Sequence, residues 1–322
     1  MKAIVHEEYG PADVLQIREL EKPVPTDEQL LVRVRASSLN ILDWYGMIGL
    51  FLGRPGAGWL KPKDIRIGTD FAGVVEGVGS KVTQFKPGDE IFGVGHGALA
   101  EYITVREDKA ALKPKGVTFE QAASLPVAGT TALQGLRDHG QLQAGQHVLV
   151  YGAGGAVGSL TVPIAKALGA QVTAVCGPGS VETARASGAD HVIDYTREDF
   201  SRRGVQYDLL LNINGGRPWS EYQRVLKPGA IFVLIGAPKN NIVMGPLGTI
   251  IRLVLSARLA GRKLVFFVAK LNKPDLELLA DMVASGKLKP AIDQTYPLSQ
   301  AADAMRQMGT GHIPSKIVVT VP

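Results

Sequence analysis

Cysteine is almost missing from this sequence, which holds only Cys176. One thiol excludes an intramolecular disulfide framework and any cysteine-rich metal site. Long uncharged apolar runs are missing too. The nearest approach, Ile242 to Ala260, is interrupted by Arg252 and Arg258, whereas a spanning helix needs roughly 20 mostly apolar residues. No transmembrane segment is expected. The amino terminus, MKAIVHEEYG, has no apolar signal core and alternates like a first strand, so a cytoplasmic location is expected. Repeats, low-complexity tracts and long Gly/Pro linkers are likewise lacking. The formal charge is +5 with a pI near 9.2, yet the basic residues are scattered singly or in pairs. That pattern reads as a solvated surface compatible with anionic ligands, without a specific nucleic-acid partner.

What the sequence does contain is an ordinary globular composition at a length that favours two domains. It has 322 residues, 45% hydrophobic and 20% charged, with 38 glycines. Up to about residue 123 it reads as short strands and turns. Leu30 to Ala36 alternates, Phe71 to Val78 is apolar with glycine punctuation, and Lys86-Pro87-Gly88-Asp89 turns into Glu90 to Val94. This implies a mainly β, barrel-like unit. Beyond it, apolar runs at His147 to Tyr151, Val172 to Val175, His191 to Ile193, Asp208 to Ile213 and Ala230 to Ile235 alternate with helical stretches. Such alternation predicts βαβ units and a doubly wound parallel sheet. A later helix is expected in the segment after Pro274, with Leu276, Leu279, Met282 and Val283 on one face and Gly286 ending it. The last run, Ser315 to Val321, is a strand too isolated for a domain of its own, and the amino-terminal β unit is its natural host.

The strongest motif follows the strand ending at Tyr151: Gly152-Ala-Gly-Gly-Ala-Val-Gly158 and then a helix. Glycine permits the tight turn and close approach of a pyrophosphate, and a helix start offers free N–H groups. Gly152, Gly155, Ala156, Val157 and Gly158 are therefore expected at a dinucleotide. The end of the next strand reads Val175-Cys176-Gly177-Pro178-Gly179-Ser180 and carries no Asp or Glu. A carboxylate there would hold the 2′-hydroxyl of NADH and repel a 2′-phosphate, so NADPH is favoured, with NADH still possible. Cys176 and Ser180 flank that position, and Arg185 or Arg197 could supply charge, although both also read as solvated residues.

Several segments then resemble one superfamily in the right order. Gly68-Thr-Asp-Phe-Ala-Gly-Val-Val-Glu-Gly-Val-Gly79, Phe85-Lys-Pro-Gly-Asp89, Ala122-Ala-Ser-Leu-Pro-Val-Ala-Gly-Thr-Thr-Ala132, Ala184 to Tyr195 and Ser285-Gly-Lys-Leu-Lys-Pro290 are similar to medium-chain dehydrogenases/reductases. Asn40-Ile-Leu-Asp-Trp44 resembles the Asn-Pro-x-Asp segment of the quinone oxidoreductase branch, close to the reticulon-interacting mitochondrial oxidoreductases. Asn212 and Ala156 depart from that branch's usual Asp and Gly. The resemblance implies an α/β protein, with a GroES-like β-barrel catalytic domain over residues 1–123 and a Rossmann domain over 124–267. Residues 268–322 are expected to return to the catalytic domain.

The same resemblance implies the chemistry. Zinc-dependent members carry Cys and His where this chain has Asn40 and Thr69, so no metal is expected. Without a Lewis acid, a conjugated acceptor suffers least, because hydride addition spreads charge onto an enolate or hydroquinone oxygen. Asn40 and Tyr45 are the expected donors, with Asp43 orienting its neighbours; Tyr45 as a packed rim aromatic and Asp43 as a structural acceptor stand as alternatives. Thr131 is expected at the nicotinamide half and Tyr195 near the 2′-phosphate. Asn214, Phe267 and Lys316 complete the implied cofactor contacts. Quinone reduction leads, reduction of an enone or alkenal double bond is its rival, and a non-enzymatic NADPH sensor or weak RNA binder is the alternative of a different class. Substrate space is expected beside the Met47 to Lys63 loop and the Asn240 to Arg262 segment. Finally, the apolar run Lys263 to Val268 lacks interior charge or proline and is expected to join two copies in a homodimer.

Overall fold

The computed structural model describes residues 1–50, 54–213, 215–236, 247–311 and 313–322. They form two compact units. The first comprises Met1–Thr130, Lys270–Gly286 and Pro290–Pro322; the second comprises Thr131–Ala269 and Lys287–Lys289. A boundary after residue 123 was expected; the two units divide between Thr130 and Thr131, inside a helix at Pro126–Gln134.

The first unit opens with a hairpin-like pair, β1 (Lys2–Val5) and β2 (Gln16–Glu19). Then come β3 (Gln29–Ser38), helices α1 (Ile41–Ile48) and α2 (Arg54–Ala57), β4 (Asp70–Val78), β5 (Glu90–Val94), β6 (Tyr102–Arg106) and β7 (Ala110–Leu112). Helices α3 (Phe119–Ala123) and α4 (Pro126–Gln134) close this stretch. In the second unit the chain forms β8 (His147–Tyr151), α5 (Ala156–Ala167), β9 (Gln171–Cys176), α6 (Val181–Ala186) and β10 (His191–Asp194). It continues with β11 (Tyr207–Asn212), α7 (Trp219–Arg224), β12 (Leu226–Leu234), α8 (Leu247–Leu259) and β13 (Lys263–Phe266). Back in the first unit it adds α9 (Lys273–Ala284), β14 (Ile292–Pro297), α10 (Ala301–Thr310) and β15 (Lys316–Thr320).

In the first unit the sheet runs β14-β15-β3-β4-β5-β7, with β6 also on β3. Leu30, Val32, Val34 and Ala36 are fully buried along β3, the period-2 pattern that puts one face of a strand into a core. The final strand β15 lies antiparallel to β3, with Val318 opposite Ser38, so the isolated terminal run finds its host there. Helices α1, α4 and α10 were not expected. The α10 signal was present, since Ala301, Ala304, Met305 and Met308 are its buried residues and sit at helical spacing. Helix α4 was masked by its Pro, Gly and Thr content. Pro126 is tolerated at the first turn, and Gly129 lets the Leu279 side chain pack close, since a Cβ there would meet it at 2.8 Å.

In the second unit six parallel strands run β10-β9-β8-β11-β12-β13. Val148, Leu149 and Val150 are all fully buried, as expected of a strand covered on both faces. The order reverses between β8 and β11, where open α/β sheets bind ligands at the strand ends. The glycine-rich turn after β8 and Asn212 at the end of β11 both sit at this switch point.

Candidate active site

The second unit presents the candidate cofactor site. Gly152 has φ 95°, a left-handed conformation that a side chain would strain. Gly158 is held so tightly that a Cβ would lie 2.1 Å from the Gly152 carbonyl oxygen. At Gly155, by contrast, the nearest atom to an added Cβ is 3.9 Å away, which leaves the mouth of the turn open. Gly155 caps α5 with no side-chain bond of its own, so the first N–H groups of that helix, at Ala156, Val157 and Gly158, are available to an anion. The turn therefore fits a pyrophosphate.

Cys176, Ser180 and Tyr195 come together beside it. A Cβ on Gly154 would meet Ser180 Oγ at 2.5 Å and Cys176 Cβ at 3.4 Å, and one on Gly177 would meet the Tyr195 hydroxyl at 3.1 Å. Burial pushes the Cys176 thiol up to about 11, so it is a packing group and not a nucleophile. The two arginines considered as phosphate partners each face an acid. Arg185 bonds Glu182 at 2.6 Å and Arg197 lies 3.7 Å from Asp194. Thr131 is buried on α4. Phe267 is also buried, and its ring stacks on His139 with centroids 4.1 Å apart. Asn214 lies outside the described residues, as do residues 51–53 and 240–246 of the two segments expected to border substrate. At the end of β11 the Asn212 amide is fully buried, with the Tyr222 hydroxyl beside it.

The first unit holds a buried polar network. Asp70, at the start of β4, receives Ser38 Oγ at 2.9 Å, Asn40 Nδ2 at 3.0 Å and Lys316 Nζ at 3.1 Å on one oxygen. Its other oxygen accepts the Val127 N–H of α4 at 3.0 Å. Lys316 also donates to Asn40 Oδ1 at 2.8 Å and to the Leu39 carbonyl at 3.1 Å. Lys316, expected to contact the cofactor, lies within this network. Its ammonium is 1% exposed, and each of its three protons already has an acceptor. Asn40, expected as a donor to substrate, has both ends of its amide turned into the same network.

Asp43 joins the network from α1. It accepts the Asn40 backbone N–H at 2.7 Å and the Thr69 hydroxyl at 2.8 Å. Burial raises its carboxyl to about 6, a rise that Asp70 reinforces and that the two hydrogen bonds and Lys316 oppose. Tyr45 is half-buried, edge-on to Trp44 at 5.5 Å, and burial raises its hydroxyl pKa. Sequence reasoning singled out Asn40, Asp43 and Tyr45 but missed Ser38 and Asp70, and saw Thr69 only as a position unsuited to zinc. Asp70 lay inside the Gly68 to Gly79 motif; its pairing with Lys316 had no local signal.

A GroES-like sheet unit joined to a Rossmann unit with this turn defines a medium-chain dehydrogenase/reductase. The sequence matches the alcohol dehydrogenase GroES-like domain over residues 26–115 and the zinc-binding dehydrogenase family over residues 187–319. The chloroplast envelope quinone oxidoreductase homolog of Arabidopsis thaliana is 33% identical over 336 residues, 99% of this chain and 98% of that protein. The chloroplastic NADPH-dependent alkenal/one oxidoreductase of the same plant is 33% identical over 334 residues, 99% of this chain and 79% of that one. The solved quinone oxidoreductase of Coxiella burnetii superposes with a TM-score of 0.88 at 29% identity, over 100% of this chain and 99% of that one. The chain belongs to the quinone oxidoreductase branch of the medium-chain dehydrogenases/reductases.

The network generates a stability prediction. Lys316→Met should leave Asp70 buried without its cation and cost about 3–5 kcal/mol. Adding Asp70→Asn should recover part of that loss. Urea denaturation checks both, and a loss under about 1 kcal/mol for the single variant would refute the assigned role.

Proposed function

We propose that this protein is an NADPH-dependent oxidoreductase that reduces a quinone or another conjugated carbonyl without a metal. The observation that carries the reading is the open glycine turn at the sheet's switch point, beside the end of β9, where the segment Val175 to Ser180 carries no carboxylate; Tyr195 reaches the same place from the end of β10, next to Asp194. Bound NADPH supplies hydride. The protein has to hold the phosphates, admit a conjugated acceptor and offer a proton donor. Ser180 and Tyr195 are assigned to the 2′-phosphate, and Thr131 and Phe267 to the nicotinamide half. Tyr45 remains a candidate donor, with Asp43 orienting the side chains around it. Metal independence is part of the proposal. Asn40 and Thr69 present an amide and a hydroxyl, both engaged with Asp70, Lys316 or Asp43, and neither is an ordinary zinc ligand. Reduction of an enone double bond is the second reading, favoured by the relative named as an alkenal/one oxidoreductase.

No helix among the described residues is long and apolar enough to cross a membrane. Both plant relatives are named for the chloroplast. A cytoplasmic location for this chain is our own reading, supported by its single free, buried cysteine, which asks for no oxidising compartment.

A homodimer completes the proposal. Strand β13 is the last of the six-stranded sheet, and an unpaired edge invites another chain. Beside it, Ile251, Leu255 and Leu259 on α8 are 46%, 55% and 90% exposed, one apolar stripe at four-residue spacing. The face opposite carries Ile250, Leu253 and Ala257 into the core.

NADPH oxidation measured against a quinone panel and an enone panel, before and after dialysis against a strong chelator, tests the activity. Turnover with at least one panel, unchanged by the chelator, is expected. Tight NADPH binding with no turnover would replace the enzyme reading with a sensor. Ser180→Asp should weaken NADPH at least tenfold relative to NADH through like-charge repulsion, and equal affinities of the unaltered protein for both cofactors would defeat the NADPH assignment. Sedimentation at micromolar concentration should give a dimer, and Leu255→Lys or Phe266→Lys should shift it toward the 34.3 kDa monomer. A monomer in the unaltered protein refutes the interface.

A further inference from the structure

We propose that the Thr69 hydroxyl, backed by Asp43, delivers the proton that completes reduction of the substrate. The inference rests on the reductase reading above and concerns where its proton comes from. Hydride addition to a conjugated carbonyl leaves an enolate or hydroquinone oxyanion that must be protonated. Within the first unit's polar network, Ser38, Asn40, Asp43, Asp70 and Lys316 are all buried, and Thr69 alone is only partly so. It is the one side chain of that network that is partly exposed.

The geometry supplies a reversible pair. With Asp43 ionised, Thr69 donates its only hydrogen inward to Asp43 Oδ1 at 2.8 Å. With Asp43 protonated, the bond reverses: the carboxyl O–H donates to Thr69 Oγ1, and the Thr69 hydrogen is released to point outward. Proton transfer then balances in two linked steps. The Thr69 O–H bond breaks as its hydrogen joins the substrate oxyanion, and the Asp43 proton moves onto Thr69 Oγ1. Asp43 is left as a carboxylate and regains a proton from solvent through the same hydroxyl. Burial, with Asp70 on β4 adding to it and Lys316 on β15 opposing it, raises the Asp43 carboxyl to about 6, which puts its acid form within reach near neutrality. The Asn40 backbone N–H, 2.7 Å from Asp43 Oδ2, fixes the other oxygen and so aims Oδ1 at Thr69. In this scheme Thr69 is the catalytic residue and Asp43 a positioning and relay residue.

The test compares the unaltered protein with Thr69→Val, Thr69→Ser and Asp43→Asn. Single-turnover reduction of 1,4-benzoquinone and 3-penten-2-one by NADPH is followed across pH, and infrared titration follows the protonated-carboxyl band of ligand-free protein. An acid that must be protonated to act is lost as pH rises, so the rate should fall through a midpoint near the Asp43 titration. Thr69→Val should lower the rate about 10²-fold and remove the pH limb, and Thr69→Ser should restore both. In the infrared titration, an Asp43 band absent from Asp43→Asn should move to higher pH in Thr69→Val, which loses a bond to the charged form. A Thr69→Val protein with the parent's rate and pH profile overturns the relay while the reductase reading stands. Absence of turnover in the parent with both probes overturns the two together.

Discussion

The ion pair between Lys316 and Asp70 is the constraint on which the catalytic half of the structure depends. Both groups are essentially without solvent, at 1% and 0% exposure, and an isolated charge of either sign would be strongly destabilising there. Together they require the last strand to lie where it does, because Lys316 reaches Asp70 only if β15 pairs with β3. The pair then organises its surroundings. Asp70 ties down Ser38, Asn40 and the start of α4, while Lys316 fixes the Asn40 amide so that its oxygen and nitrogen cannot exchange places. Asn40 in turn presents its backbone N–H to Asp43, and Asp43 holds Thr69. A buried charge pair is weak evidence for net stability. Its contribution here is to hold one orientation of a chain of polar groups that ends at a half-open hydroxyl.

The cofactor half relies on a different constraint, the absence of side chains. Gly158 brings α5 against the Gly152 carbonyl, and Gly152 adopts a backbone conformation that favours glycine. Ala156 in place of the branch's usual second glycine is compatible with this, since it lies at the first position of α5 and not in the turn. Asn212, where the branch usually carries Asp, places a fully buried amide at the same strand ends. An amide keeps that buried position neutral where a carboxylate would need a counter-charge.

Much of this was legible in the sequence. The glycine turn, the six apolar runs of the parallel sheet and the homeless terminal strand each follow from local pattern, and the observed strands fall on those runs. Elements whose formation depends on tertiary contact were harder to read. Helix α4 is poor in strong helix formers and is held by Asp70 at its start and Leu279 against Gly129. The site residues divide the same way. Asn40 and Asp43 stood out by their motif, but their duties depend on a lysine that bonds Asp70 across 246 positions. Local spacing carries no trace of that partner. Phe267 falls between the two cases, since the sequence placed it at the end of β13 without revealing the His139 ring it stacks on.

The central claim is that this chain conducts direct hydride transfer from a nicotinamide to a conjugated acceptor. Single-turnover reduction of an enone with NADPH deuterated at both C4 positions tests it most directly. The account predicts a primary isotope effect on cofactor oxidation and one deuterium bonded to carbon in the product. Cofactor oxidation with no isotope effect and no deuterium in the product would contradict it.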